Sequence, residues 1–392
     1  MISFAPTDDQ KLMIDASQKL AKTLAARIRD TEKSGLSPEL RDAVTEMGLG
    51  LAHLPEAVGG AGLGLTTAVL LEEEIAAGDP AAAFALGGTG GFALAMSELG
   101  SAEQAKDAAA KPGAVAFGEP RPHRDRGGLS TVATKNGSAY ALKGEKSYVL
   151  GADRAERFVV FAQVDEAKGV DGVAAFVVEK AGNEKTVKIA PRARTLGLDA
   201  ASFGGIELDG AKGELLTGEF SRGAVRFFAK HALLVAARCV GLSRAAFDVT
   251  RAYVEQRRAF GKPVAHFQAV AFTVADRAMD VDAARALVHR AAWLWDVTEG
   301  FDENAALLAT ARATSFAQQA AMRCGDDGVQ LHGGAGFMRD YAVEKYMRDA
   351  KQLALCGMPA SCADQLAAAI ELGRKPDLAL VLPWPDSQSA FV

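Results

Sequence analysis

Arg257, Phe260, Gln268, Gln330, Gly333 and Gly334 are the residues whose types and spacing first suggest chemistry. Arg257 closes a long helical pattern and presents a planar fork of donors suited to a phosphate or carboxylate. Phe260, three residues on, offers an apolar face. Gln268 and Gln330 carry amides that both donate and accept. Gly333 and Gly334 let backbone come close to a ligand with amides free to bind oxygens. Each also has a plainer reading: Arg257 as a solvated helix end, and Gly333-Gly334 as a helix C-cap followed by a turn.

The elements that must position these residues change character twice along 392 residues, a length that suggests two or three units. The first stretch, 1–113, reads helical. Thr7 with Gln10 forms a capping-box pattern ahead of Leu12, Met13, Ala16, Leu20 and Leu24 at helical spacing. Ser37-Pro38 is a second helix start, Val69–Ile75 a third helix stopped at Gly78-Asp79-Pro80, and Ala81–Leu99 a fourth. Over 114–222 the period becomes two, with strands expected at Val132–Lys135, Ala139–Leu142, Arg157–Gln163, Gly172–Val178, Thr186–Ile189 and Phe203–Leu208. Asn136-Gly137 predicts a type I′ turn, and the set predicts a small antiparallel barrel or sandwich. Helices return over 223–375, where Phe227–Arg257, Phe267–Glu299, Glu303–Gln330, Val343–Leu355 and Ala363–Leu372 predict an up-down four-helix bundle. The end, 376–392, reads as an irregular tail. The fold class is therefore α+β: helical, then β, then helical bundle.

Composition narrows the function. There are 44 Lys+Arg against 49 Asp+Glu, net −5, with no basic block, which disfavours nucleic acid. No apolar run reaches the roughly 18 residues of a membrane span, and the N-terminus lacks a signal-peptide pattern. Cys239, Cys324, Cys356 and Cys362 show no metal spacing and read as reduced thiols of a cytoplasmic protein; the six histidines form no metal motif either.

Several stretches resemble the acyl-CoA dehydrogenase family, in family order. They are Leu54-Pro55-Glu56-Ala57-Val58-Gly59-Gly60-Ala61-Gly62, Glu73-Glu74-Ile75-Ala76, Gly118-Glu119-Pro120, Arg257–Pro263 with Phe267-Gln268, Gln330–Phe337, and Val343-Glu344-Lys345 with Arg348-Asp349-Ala350-Lys351. The resemblance implies FAD, an acyl-CoA substrate, an electron-transfer flavoprotein or similar acceptor, and a tetramer. It makes Arg257, Phe260, Gln268, Gln330, Gly333 and Gly334 the cofactor-binding set, lent to the adenosine arm of a neighbouring subunit's FAD.

The departures from the family pattern are informative. The catalytic Glu that usually follows the Arg-Asp-Ala-Lys motif falls on Gly357, or with a one-residue gap on Cys356. A minority of the family carries the base on the long helix, and that position is His231. A neutral imidazole can abstract an acidic proton, but a solvated or core-packed His is the plainer reading. The flavin-side loop is Arg121-Pro122-His123-Arg124-Asp125 instead of small residues; Leu150 stands where a hydroxyl is usual, and Pro359 where a Thr is. The lent set is kept and the held set is lost. The resemblance thus implies a non-catalytic partner of a homologous subunit that carries the Glu, in a heterotetramer sharing FAD, with steroid or lipid catabolism as its setting by analogy. The alternatives are a self-sufficient homo-oligomeric FAD enzyme with an atypical base such as His231, and a cofactor-free acyl-CoA-binding scaffold.

Overall fold

The computed structural model describes residues 5–46, 48, 50–85, 87–120 and 128–381. The Arg121–Asp125 loop lies outside them, as does everything after Val381.

The N-terminal region holds α1 (Asp8–Ala26), α2 (Ile28–Ser34), α3 (Pro38–Glu46), α4 (Gly64–Gly78), α5 (Pro80–Ala85), α6 (Gly87–Leu99) and α7 (Ala102–Ala105). Thr7 and Gln10 form the reciprocal capping box. Below it, α1 buries Ser17, Ala21 and Leu24. Leu12, expected on the core stripe, is 69% exposed, and Ala16 is exposed too. The stretch expected as one helix over Ala81–Leu99 is two, α5 and α6.

The middle region holds β1 (Gly113–Ala116), β2 (Val132–Asn136), β3 (Ala139–Leu150), β4 (Arg157–Gln163), β5 (Val173–Glu179), β6 (Val187–Ala190) and β7 (Phe203–Leu215). β4 pairs β5, β5 pairs β7, β7 pairs β3, β3 pairs β2, and β2 meets β4 at Val132 and Gln163, so five strands close a ring. The sheet is mixed rather than purely antiparallel, because β1 runs parallel to β4. Alternation along β4 explains its place. Phe158, Val160 and Ala162 fill the barrel interior, while Val159 and Phe161 point the other way into the core shared with the helices. The β2–β3 turn is not type I′. Asn136 pairs Ala139, so the central residues are Gly137 and Ser138, and only Gly137 has positive φ, 63°.

The C-terminal region holds α8 (Phe220–Gln256), a two-residue-strand hairpin of β8 (Arg258–Ala259) and β9 (Lys262–Pro263), α9 (Gln268–Asp296), α10 (Glu303–His332), α11 (Val343–Leu353), α12 (Ala360–Glu371) and α13 (Leu378–Val381). The tail expected to be irregular from residue 376 thus begins with a helical turn, anchored by buried Leu378.

α8 is the axis of the molecule. It approaches α4 closely because residue 241 is Gly; a Cβ there would lie 2.2 Å from the Glu73 carbonyl oxygen. α4 buries three consecutive acids, and each is partnered. Glu72 takes a two-pronged bond from Arg238 at 2.8 and 3.0 Å, and Glu74 is paired with Arg244. Burial pushes the Glu73 carboxyl up, but the His289 hydrogen bond and the Arg285 and Arg244 charges outweigh it and hold it below the usual range. Such pairs bind α4 to α8 and α9, and removing one partner of a buried pair costs about 3–5 kcal/mol.

Candidate functional site

Two cavities contain most of the residues singled out in the sequence. The first has about 580 Å³ and lies where α8 meets the barrel and the α11–α12 connection. Phe84, Phe117, Phe203, Phe227 and Phe228 give it aromatic walls, and Leu150 lies among them. His231 and Gly357 face each other there: a Cβ added at Gly357 would lie 3.4 Å from His231 Nδ1. The two positions that could carry a base are therefore neighbours, although 126 residues separate them in sequence.

Neither supplies a carboxylate, and among the described residues no Asp or Glu lines this cavity. Burial, then the charge of Arg238, pushes His231 down to about 4, so the ring is neutral at pH 7. Burial pushes the Cys356 thiol up to about 12, so it is no thiolate; its Sγ–H donates to the Gln352 carbonyl at 3.3 Å. Gly357 has φ 67°, a left-handed conformation that a side chain would strain.

Buried ion pairs hold these walls. Gly118 lines the cavity, but Glu119 beside it turns inward, accepting from the Ser130 and Thr131 amides and pairing with Lys146 at 2.7 Å. Burial lowers Lys146 to about 8 against the raising effect of Glu119. Arg194, Thr195 and Leu196 form another wall. That loop is fixed by Arg348, which donates to the Leu196 carbonyl, and by Asp349, which accepts from the Leu198 amide at 2.7 Å. Asp349 is itself held by buried Lys345, shared with Asp79. Tyr148, at a register shift in β3, stands at the mouth with φ 53° and 65% exposure.

The second cavity has about 770 Å³ and lies beyond the C-terminal end of α8. It brings together Arg257, Phe260, Gln330, Gly333 and Gly334. Gln268 is exposed as the first residue of α9 and does not line it, although Phe267 and Ala269 on either side do. Among the described residues, the side chains of Arg257 and Gln330 have no ion pair or hydrogen bond within the chain. A Cβ at Gly334 would touch nothing, so the chain's own packing does not demand Gly there. Phe260 and Gly261 are the two turn residues of the β8–β9 hairpin, with φ of 51° and 82°. That is the type I′ pattern, with an aromatic at the position that prefers Asn or Gly. Phe260 is 94% exposed, its ring meeting Phe267 edge-on at 6.2 Å.

Family models agree with this layout. The acyl-CoA dehydrogenase N-terminal domain matches residues 7–111, the middle domain 114–211 and the C-terminal domain 222–357. The chain belongs to the acyl-CoA dehydrogenase family. It is therefore an oxidoreductase of a family of FAD-dependent flavoproteins. It is 32% identical over 362 residues to cyclohex-1-ene-1-carbonyl-CoA dehydrogenase of Geobacter metallireducens, covering 88% of this chain and 93% of the relative. It is 29% identical to the caffeyl-CoA reductase-Etf complex subunit CarC of Acetobacterium woodii, covering 85% and 91%. Its fold matches butyryl-CoA dehydrogenase of Megasphaera elsdenii with a TM-score of 0.84 at 27% identity, covering 95% and all of that chain.

Within this acyl-CoA dehydrogenase fold, sequence reasoning missed the inward Glu119–Lys146 pair and the aromatic trio of Tyr253, His332 and Tyr341 in the second cavity. Glu119 stood in a quoted motif, so its type was visible and its direction was not. Tyr253 sits four residues before Arg257, on the same helix face, and that spacing was the available signal. No helix among the described residues is long and apolar enough to cross a membrane.

Proposed function

We propose that this chain is the non-catalytic partner subunit of a heteromeric FAD-dependent acyl-CoA dehydrogenase, in which a homologous subunit carries the catalytic Glu. The observation that carries this is the absence of a carboxylate from the first cavity among its described lining residues. When bound, FAD accepts the hydride in α,β-desaturation of a CoA thioester; the α-proton needs a separate base within hydrogen-bond reach. Gly357 has none, Cys356 stays a thiol, and His231 is less basic than an ordinary imidazole.

The second cavity suits a lending role. A guanidinium with no internal partner, an amide, a glycine pair and exposed aromatics fit the diphosphate and adenosine parts of FAD. Gln268 at the rim extends this set toward a neighbour. The flavin-side half of the same chain places Leu150, without a hydroxyl, in the first cavity. Relatives named for acting on CoA thioesters, one within an Etf complex, support an acyl-CoA substrate and an electron-transfer flavoprotein as acceptor. Lipid or steroid breakdown is the proposed setting.

The test is flavin absorbance of the chain purified alone and after co-expression with a homologous subunit that has an intact Glu. The expected result is little FAD alone and stable FAD in the complex, since a few lost hydrogen bonds of about 1–3 kcal/mol each weaken binding by orders of magnitude. One tightly bound FAD per lone chain, with turnover of an acyl-CoA, overturns the proposal in favour of a self-sufficient enzyme. A colourless chain in every combination favours the scaffold.

A further inference from the structure

The aromatic walls of the first cavity hold one another and are backed from outside it. Phe84 packs on Phe203 with centroids 5.6 Å apart, Phe228 meets Phe117 edge-on at 5.2 Å, and Phe227 meets Phe228 at 4.9 Å. Behind them, Phe161 supports Phe117 and Phe228 at 5.4 and 5.5 Å. The Arg238 guanidinium, forked onto Glu72, sits 4.9 Å from the centroid of Phe84. Lys146 Nζ, paired with Glu119, sits 6.0 Å from that of Phe117. None of the three backing residues lines the cavity. The wall rings therefore have set planes before any ligand arrives.

The charges decide what these walls can receive. A bare aromatic cage attracts a cation. Here cations already stand behind Phe84 and Phe117, and among the described residues no carboxylate lines the cavity. A positive ligand is disfavoured, and the interior suits a neutral, apolar group. The rim carries Arg194, exposed and with no ion pair or side-chain hydrogen bond among the described residues. It suits an anionic part that stays outside. Between two apolar heads of equal carbon count, a ring fits fixed aromatic walls better than a straight chain. Its faces and edges meet the wall rings in offset or edge-on contact, and it has few rotors to immobilise.

We propose that the first cavity of this chain binds the acyl group of a ring-bearing acyl-CoA thioester in preference to a straight chain, and holds it without turnover; this rests on the reading of the chain as the partner subunit without a catalytic carboxylate. Phe84 and Phe228 are then specificity-determining residues for the ring. The volume of about 580 Å³ lies in the range of small-molecule sites. A thioester held here keeps its α-proton, because no carboxylate among the described lining residues is there to take it.

Calorimetric titration of the full chain with cyclohexylpropanoyl-CoA, nonanoyl-CoA and free CoA tests this. The two thioesters share a carbon count and differ in the ring. The ring thioester should bind about three- to tenfold more tightly than the straight one, and free CoA more weakly than both. Phe84→Leu and Phe228→Leu keep an apolar side chain without an aromatic face, and each should bring the two thioesters closer together. The ligand recovered from the chain should be unchanged by mass spectrometry. Equal binding of the two thioesters to the wild type, or tighter binding of nonanoyl-CoA, overturns the proposal without needing either variant to fold. Free CoA that binds as tightly as the thioesters leaves the acyl group outside the cavity and overturns it too. So does riboflavin that displaces the ring thioester, since the walls then serve a flavin ring. So does a ring preference that persists undiminished in both variants. Desaturation of the ligand by the lone chain with its own FAD removes the partner-subunit reading and the absence of turnover; the ring preference is read separately, from the ratio of the two affinities.

Discussion

The two cavities lie well apart along one helix. His231 opens on the first and Arg257 on the second, and 26 residues of α8 at about 1.5 Å each put them roughly 40 Å apart. Each has an aromatic residue with positive φ at its edge, Tyr148 for the first and Phe260 for the second. The difference lies in where the polar groups are committed. Around the first, Glu119 and Asp349 are spent on Lys146, Lys345 and backbone amides, holding walls in place. Around the second, the side chains of Arg257 and Gln330 line the cavity with no hydrogen bond or ion pair within the chain among the described residues. One cavity is supported from within and has no carboxylate among its described lining residues; the other keeps polar side chains that have no partner in the chain.

The largest effect should come from chemistry at the first cavity. In a heteromeric complex, His231→Ala is expected to leave the rate almost unchanged, because the working Glu is on the other chain. If His231 were the base, its loss would cut turnover about 10²–10⁴-fold. Steady-state turnover of an acyl-CoA decides between them. Gly357→Glu in the lone chain should create no activity. There is room for it, the nearest atoms to a new Cβ being 3.4 Å away, but φ 67° strains it and Leu150 is unchanged. A lone Gly357→Glu protein that oxidises acyl-CoA would show that only the base was absent.

The second cavity should answer to Arg257→Ala. A diphosphate left without that guanidinium loses a charge-assisted bond of about 1.5–3 kcal/mol, so flavin retention in the complex should fall roughly ten- to a hundredfold. Flavin absorbance after gel filtration measures it, with circular dichroism expected to show an intact bundle. Unchanged flavin content would erase the contrast between the cavities.

A smaller effect is expected in acid. His231 titrates at about 4 in the fold against about 6.5 unfolded, so the unfolded chain takes up its proton first as pH falls. The stability linked to the neutral ring is present above pH 6.5 and is lost between there and about 4. By pH 4.5 this is on the order of 2 kcal/mol. Urea unfolding at pH 7 and 4.5 should show that loss reduced in His231→Gln. His53, pushed down to about 3 by burial and by Lys230, adds a loss of the same sign that the variant leaves in place.

What the sequence made legible was local. The Thr7–Gln10 capping box and the strand over Arg157–Gln163 were readable because a helix start and a short apolar run are signalled within a few residues. The motif residues Arg257, Phe260, Gln330, Gly333 and Gly334 do meet in one cavity, since the hairpin and the end of α10 bring them there. The pairing of His231 with Gly357 was not legible, because it depends on how α8 packs against the α11–α12 connection. Nor was the direction of Glu119: a carboxylate in a loop reads as exposed, and only its buried partner Lys146, 27 residues on, turns it inward. Turn chemistry misled in one place and hid in another. Asn136-Gly137 advertised a type I′ turn that the β2–β3 register excludes, while the true type I′ pattern sits at Phe260-Gly261, where no propensity points to it.

That misplaced turn supports the smallest prediction. Phe260 holds φ 51° at a hairpin tip while 94% exposed, so it contributes little burial and carries conformational strain. Glycine adopts this φ without a Cβ penalty, and its extra freedom in the unfolded chain offsets part of the gain. Phe260→Gly should therefore leave the lone chain as stable as the wild type or more stable by about 0.5–1 kcal/mol in thermal unfolding. Most exposed aromatics replaced by Gly would move stability the other way. The same variant should hold flavin less well in the complex, because the aromatic face offered to a neighbour's purine is gone. Stability gained with flavin lost places Phe260 in the service of a partner. Stability lost with flavin unchanged would make the hairpin tip a structural feature of this chain, and the second cavity would then differ less from the first than its uncommitted groups imply.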